Sequence, residues 1–173
     1  MKQFLLFISL IPLCLFSQTQ IGDDIDGKEP GEWSGYSVSL SSDGSIVAIG
    51  APTIGSGNVR VYQNISGVWT QIGDDIIGEA VNDYSGRSVS LSSNGSVVAI
   101  GAHYNAGNGN EPGHVRVYQN ISNVWTQIGG DIDGEAAGDQ SGFSVSLSSD
   151  GSIVAIGARF NDGDRSDKGH VRV

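Results

Sequence analysis

The sequence predicts an all-β chain made of β-propeller blades, each a small sheet of four antiparallel strands, and three observations predict it. Near-identical copies of one block begin at Ser34, Ser85 and Ser141, 51 and then 56 residues apart. Each copy reads as short strands broken by tight-turn dipeptides, and a repeat of this period is one supersecondary unit that cannot cover its own apolar faces. The composition agrees: 26 glycines and 38% hydrophobic residues in 173 suit many short strands and leave no long helical pattern.

In chain order, residues 1–17 come first, where Lys2 precedes the apolar run Phe4 to Phe16 and the small residue Ser17. A run of that length is too short to span a bilayer and has the layout of a secretory signal peptide. Its removal takes away Lys2 and Cys14, the single cysteine, so the exported chain carries no thiol and no disulfide. The net charge of −10 excludes nucleic acid as a natural partner, because an acidic surface repels phosphate. No second apolar stretch has membrane-spanning length, so no membrane span is expected.

Residues 18–173 carry the repeats. Gln20 to Gly27 (QIGDDIDG) matches Gln71 to Gly78 and Gln127 to Gly134, and so reads as a fourth strand, 20–27, left over from a unit. Two units follow at 34–73 and 85–129, then a partial one at 141–173. Within a unit Tyr36, Val38 and Leu40 alternate with Ser37, Ser39 and Ser41, the period of a strand with one apolar and one polar face. Asp43-Gly44, Asn94-Gly95 and Asp150-Gly151 tolerate positive φ and reverse the chain. Ile46 to Ile49 is continuously apolar, as in a central strand covered on both faces, and Gly50-Ala51 leaves room for close backbone approach. Val59 to Tyr62 makes a third strand, and Val68 to Ile72, with Trp69, a fourth on the edge. The chain thus holds about three blades' worth of strands. Closed propellers use about four to eight blades, so further blades or self-association are expected to complete the ring.

The stretch GYSVSLSSDGSIVAIGAP, Gly35 to Pro52, resembles the FG-GAP repeats of integrin-α-like β-propellers. Gly35, Gly86 and Gly142 match the family's strand-opening glycine, though serine precedes each. Gly50-Ala51-Pro52 matches in full, whereas His103 and Arg159 replace the proline in the later copies. The repeat also resembles secreted surface proteins of the Bacteroidetes type. The resemblance implies an extracellular adhesion module; the family's calcium loop between the first two strands has no counterpart in Ser41 to Gly44.

Candidate chemistry is sparse. Asp162, Asp164 and Asp167 alternate oxygen donors as a calcium loop would, without the glutamate or spacing of an EF-hand. The acidic turns Asp23 to Asp26, Asp74-Asp75 and Asp131 to Asp133 change composition from copy to copy, as solvated turns do. His103, His114 and His170 lie in loops, where hydrogen bonding is the simpler role. Trp69 and Trp125 suit packing between sheets, while Trp33 and Tyr84 share a loop position and are the ligand-contact candidates, since exposed aromatics stack on sugar rings. Asn64, Asn94 and Asn120 match the glycosylation pattern but fall at hairpin tips.

The expectation is therefore a non-catalytic, secreted or cell-surface repeat module that binds an extracellular protein or glycan and needs no cofactor. The alternatives are an enzymatic propeller of the glycosidase or lyase kind, with a carboxylate pair facing a central cleft, and a purely structural spacer.

Overall fold

A computed structural model describes residues 19–106, 111–163 and 166–173; the expected signal peptide lies outside them. They fold as three antiparallel sheets, one per repeat. The first contains β1 (Ser37–Leu40), β2 (Ile46–Ala51), β3 (Asn58–Ile65) and β4 (Val68–Gln71) in that order, with β5 (Ile76–Ile77) also paired to β3. The second repeats it as β6 (Ser88–Leu91), β7 (Val97–Ala102), β8 (His114–Ile121), β9 (Val124–Gln127) and β10 (Ile132–Asp133). The third has β11 (Ser141–Leu147), β12 (Val154–Ala158) and β13 (His170–Arg172). No helix among the described residues is long and apolar enough to cross a membrane.

Local chemistry sets the turns. Asp43 Oδ1 accepts from Ser41 Oγ at 2.7 Å and from the Ser45 amide at 2.9 Å, and Asn94 and Asp150 make the same contacts. The glycine that follows takes the positive φ, +71° at Gly44. At the next hairpin Asn64 and Asn120 accept the amides of Gly67 and Asn123, so these asparagines serve the turn.

Two features depart from expectation. Residues 20–27 form no strand. The segment docks on the first sheet instead: the Ile21 carbonyl accepts Trp69 Nε1 at 2.9 Å, as Ile72 accepts Trp125 Nε1 at 2.8 Å one repeat later. The second is β5 and its copy β10. β4 covers Tyr62 to Ile65 on the outer edge of β3, and the chain then returns so that β5 covers Asn58 and Val59 on that edge. The acidic turn 72–75 crosses the gap, beside Arg60.

Register decides how the sheets stack. Directly paired residues share a face, so Val38, Ile49 and Arg60 lie on one side with Leu40, Val47 and Tyr62, and Ser39, Ala48 and Val61 on the other with Ser37, Gly50 and Val59. One face is bulky and one is small. The bulky face of the second sheet, Val89, Leu91, Val98 and Ile100, packs on Ala48, Val59 and Val61 of the first. Ala99 and Val115 receive Ile156, Val145, Leu147 and Val154 of the third sheet in the same way. The serines expected to face water lie at these junctions: the Leu91 amide donates to Ser39 Oγ and the Leu147 amide to Ser90 Oγ, both at 2.9 Å. Ser37 Oγ donates to the Gly86 carbonyl and Ser88 Oγ to that of Gly142, both at 2.8 Å. Where no sheet covers the bulky face, Val38 and Leu40 are 63% and 59% exposed.

A Cβ at Gly101 would fall 2.0 Å from the Gly142 carbonyl oxygen, and one at Gly50 2.1 Å from that of Gly86. Both obstacles are backbone and cannot rotate away. Gly101→Ala should therefore cost ~1–3 kcal/mol or more through overpacking, read as a lowered urea midpoint. Gly130→Ala, with open space around it, should stay within about 0.5 kcal/mol; equal midpoints would refute this packing.

Candidate functional site

The three aligned blocks Ser34–Ala51, Ser85–Ala102 and Ser141–Ala158 differ at one position in kind, Tyr36/Arg87/Phe143; the other changes are Asp for Asn and Ile for Val. Just outside the blocks, Trp33/Tyr84/Gln140, Pro52/His103/Arg159 and Thr53/Tyr104/Phe160 also differ. Antiparallel pairing of Ser37 with Gly50 puts the start of the first strand beside the end of the second. All four variable positions of a unit therefore meet at one end of its sheet, and stacking sets the units side by side.

The result is a continuous array of rings and guanidinium groups. Trp33 stacks on Tyr36 with centroids 6.3 Å apart and planes 7° from parallel. The Arg87 guanidinium lies between rings, 4.8 Å from the Tyr36 centroid and 4.1 Å from that of Phe143. Arg159 continues the series, 3.9 Å from Phe143 and 4.3 Å from Phe160, and donates through Nε to Gln140 Oε1 at 2.9 Å. Tyr84, His103 and Tyr104 form a second cluster, with Tyr84 5.4 Å from Tyr104 and His103 5.6 Å from Phe143. Between the first two sheets the array holds a pocket of about 200 Å³, lined by Trp33, Tyr36, Pro52, Thr53, Tyr84, Arg87, His103 and Tyr104.

The backbone supports this end under strain. Trp33, Tyr84 and Gln140 all lie in the left-handed region, at φ +56°, +57° and +55°. That conformation is costly for a bulky side chain and persists where surroundings over-determine it, often at functional sites. Here the Trp33, Tyr84 and Gln140 carbonyls accept the amides of Tyr36, Arg87 and Phe143 in tight turns. His103 is buried, and its Nδ1 has no hydrogen-bond partner. Burial, then the charges of Arg87 and Arg159, push its pKa down to about 4.

Of the residues the sequence singled out, the structure brings Trp33 and Tyr84 into this one pocket. It adds Tyr36, Arg87 and Tyr104, which pattern reasoning passed over as members of strands and loops, and His103, for which the sequence suggested hydrogen bonding but whose Nδ1 has no partner. The signal that could have found them was their variation among otherwise constant repeats. Asp162 and Asp167 are exposed on a separate loop, where Asp162 Oδ1 accepts the Asp167 amide at 3.0 Å. Asp164 lies outside the described residues.

Most other polar clusters hold the scaffold. Arg60, buried on its sheet, binds Glu32 through both terminal nitrogens at 2.8 and 2.7 Å and Asp75 through Nε at 2.9 Å. Lys28 Nζ adds a contact to Asp75 at 2.7 Å. Desolvation pushes Asp75 up, but Lys28, Arg60 and Gln71 outweigh it and hold the carboxyl at about 2. In the second repeat Glu79 stands in place of Lys28 and Asp83 in place of Glu32. Arg116 accordingly pairs with Glu79 and Asp131. The shorter Asp83 turns to Asn105 Nδ2 and the Ala80 amide. Asp139, Asn161 and Ala136 repeat that arrangement in the third unit.

Among the described residues one group could hold a metal, Glu79, His114 and Asp131, with ligand atoms within 4.8 Å of one another. Arg116 already pairs with both carboxylates and supplies the positive charge a metal would bring. Hollows lined by Asp23 to Asp26 with Trp69, and by Asp74 to Ile77 with Trp125, recur at successive junctions with like residues, as a shared packing feature does.

No family model and no curated protein matches this chain. Among solved structures it is similar to Kuenenia stuttgartiensis hydrazine synthase, with a TM-score of 0.50 and 13% identity over 84% of this chain and 34% of that one. The chain therefore spans about a third of that protein's length, and at this identity the likeness concerns the fold alone.

Two outcomes follow from the charges. Glu32→Gln should remove the charge of the bidentate partner from a buried guanidinium that keeps Asp75 and cost about 1.5–3 kcal/mol, whereas Glu79→Gln, at a carboxylate 42% exposed, should cost about 1 kcal/mol or less; similar losses in denaturant melts would refute the ranking. His103 stays neutral in the fold while the unfolded chain takes up its proton. Its contribution to stability is therefore complete above about pH 6.5 and lost as pH falls through about 4. His103→Phe should flatten stability across that window.

Proposed function

We propose that this chain is a non-catalytic extracellular repeat module that binds glycan at the cell surface through the ring and guanidinium array. On this reading the three sheets are blades of an FG-GAP-like β-propeller, exported by residues 1–17. The observation that carries it is where variation falls. Within the aligned blocks and the residues that directly flank them, the repeats keep their junction residues and change their chemistry at the four positions that converge on one end. A spacer has no reason to concentrate aromatic variation there, and an irregular rim on a rigid sheet is where binding specificity is grafted.

Glycan is favoured over a protein ligand by the shape of the array. Trp33, Tyr36 and Phe160 present exposed rings, and Trp33 and Tyr84 stand on strained, turn-held backbone, so a sugar ring can stack there with little further ordering of the chain. The exposed Val38 and Leu40 face belongs to the same reading: a further blade, or another copy of the chain, would cover it as the first sheet covers Val89 and Leu91.

A glycan array followed by titration calorimetry tests the proposal. Trp33→Ala and Tyr84→Ala should each weaken binding about two- to tenfold while leaving the unfolding midpoint close to that of the unaltered chain. Absence of any glycan ligand would defeat the reading.

A further inference from the structure

The array is more specific than a set of stacking rings. Arg60, Arg116 and Arg172 all have carboxylate partners, in Glu32 and Asp75, in Glu79 and Asp131, and in Glu135. Arg87 and Arg159 differ: among the described residues neither pairs with a carboxylate, and both lie against ring faces instead. In a chain with 19 acidic and 9 basic residues, two guanidinium groups without counter-charge on one surface are a departure. Nearby acids are turned away: Asp83 and Asp139 are 2% exposed and are held by Asn105 and Asn161.

We infer that the array selects anionic glycans, sugars bearing carboxylate or sulfate groups, with Arg87 and Arg159 as the anion-contacting residues. This rests on the glycan reading above and deepens it. Each guanidinium is held over a ring face while no carboxylate among the described residues takes its N–H groups, and a planar fork of N–H groups suits the paired oxygens of a carboxylate or sulfate. His103 beside them is held neutral first by burial and then by the charges of Arg87 and Arg159. Phe143 spaces the two cations, so that successive charged units of one acidic chain could meet successive arginines while Trp33 and Tyr84 take the ring faces.

The test uses the full chain and three probes of equal length: a galacturonic acid hexamer, a sulfated galactose hexamer and the neutral galactose hexamer. One or both acidic probes should bind at least about tenfold more tightly than the neutral one. The difference should shrink as sodium chloride rises from about 50 to 500 mM, and the preferred probe identifies carboxylate or sulfate. Arg87→Gln with Arg159→Gln should remove at least tenfold of the acidic affinity, and Arg87→Lys, which keeps charge but loses the planar stack, should restore only part. Equal binding of all three probes would overturn the anionic inference and leave the glycan reading standing; binding of none would overturn both. Acidic binding unchanged by the double arginine variant would also overturn it. The probe ranking and salt dependence need no variant, so misfolding of the substituted chains cannot shield the inference.

Discussion

The distance between neighbouring sheets governs the molecule, because one face of every sheet is small and the next sheet's bulky face must come close to it. At Gly50 and Gly101 the backbone of the following repeat passes where a side chain would otherwise begin. Serine hydroxyls fill the remaining gap by donating to one carbonyl and accepting one amide of that repeat. Valine in their place would satisfy strand preference but hold the sheets apart and leave backbone groups buried without partners. The strictness of the repeat follows, since each junction is built the same way one unit later, with Ser37 against Gly86 and Ser88 against Gly142.

That constraint frees the ends of the strands. Once glycine, serine and alanine set the approach, residues just before the first strand and just after the second lie outside the junction and can change without disturbing it. The ion pairs show a related freedom. The first repeat places Glu32 against Arg60, and the second places Glu79 against Arg116 while Asp83 moves to Asn105. A buried or half-buried arginine is neutralised each time, from a different position of the same loop. Arg87 and Arg159 escape that rule because they occupy ring-packing positions at the exposed end.

The strained backbone at Trp33, Tyr84 and Gln140 is held by the tight turns into the first strands and by the stacked sheets below. The scaffold repeats the same end of the sheet at each unit, with side chains that differ in charge and shape, and on the proposed reading a repeating ligand would meet that surface.

Much was determined by the sequence alone: the three units, the alternation in Tyr36 to Ser41, the turns at Asp43-Gly44 and its copies, and the central place of the second strand, because periodicity and turn chemistry act over a few residues. The roles of Trp33 and Tyr84 as surface aromatics were also legible. Only tertiary structure decided that Ser37 and Ser39 face another sheet rather than water, since a polar face and a hydrogen-bonded junction have the same pattern. It also decided that residues 20–27 remain unpaired, that β5 closes the edge of β3, and that Tyr36, Arg87 and Phe143 meet in space. Those outcomes depend on which edges and faces come together, and contacts between residues some fifty positions apart leave no mark on local spacing.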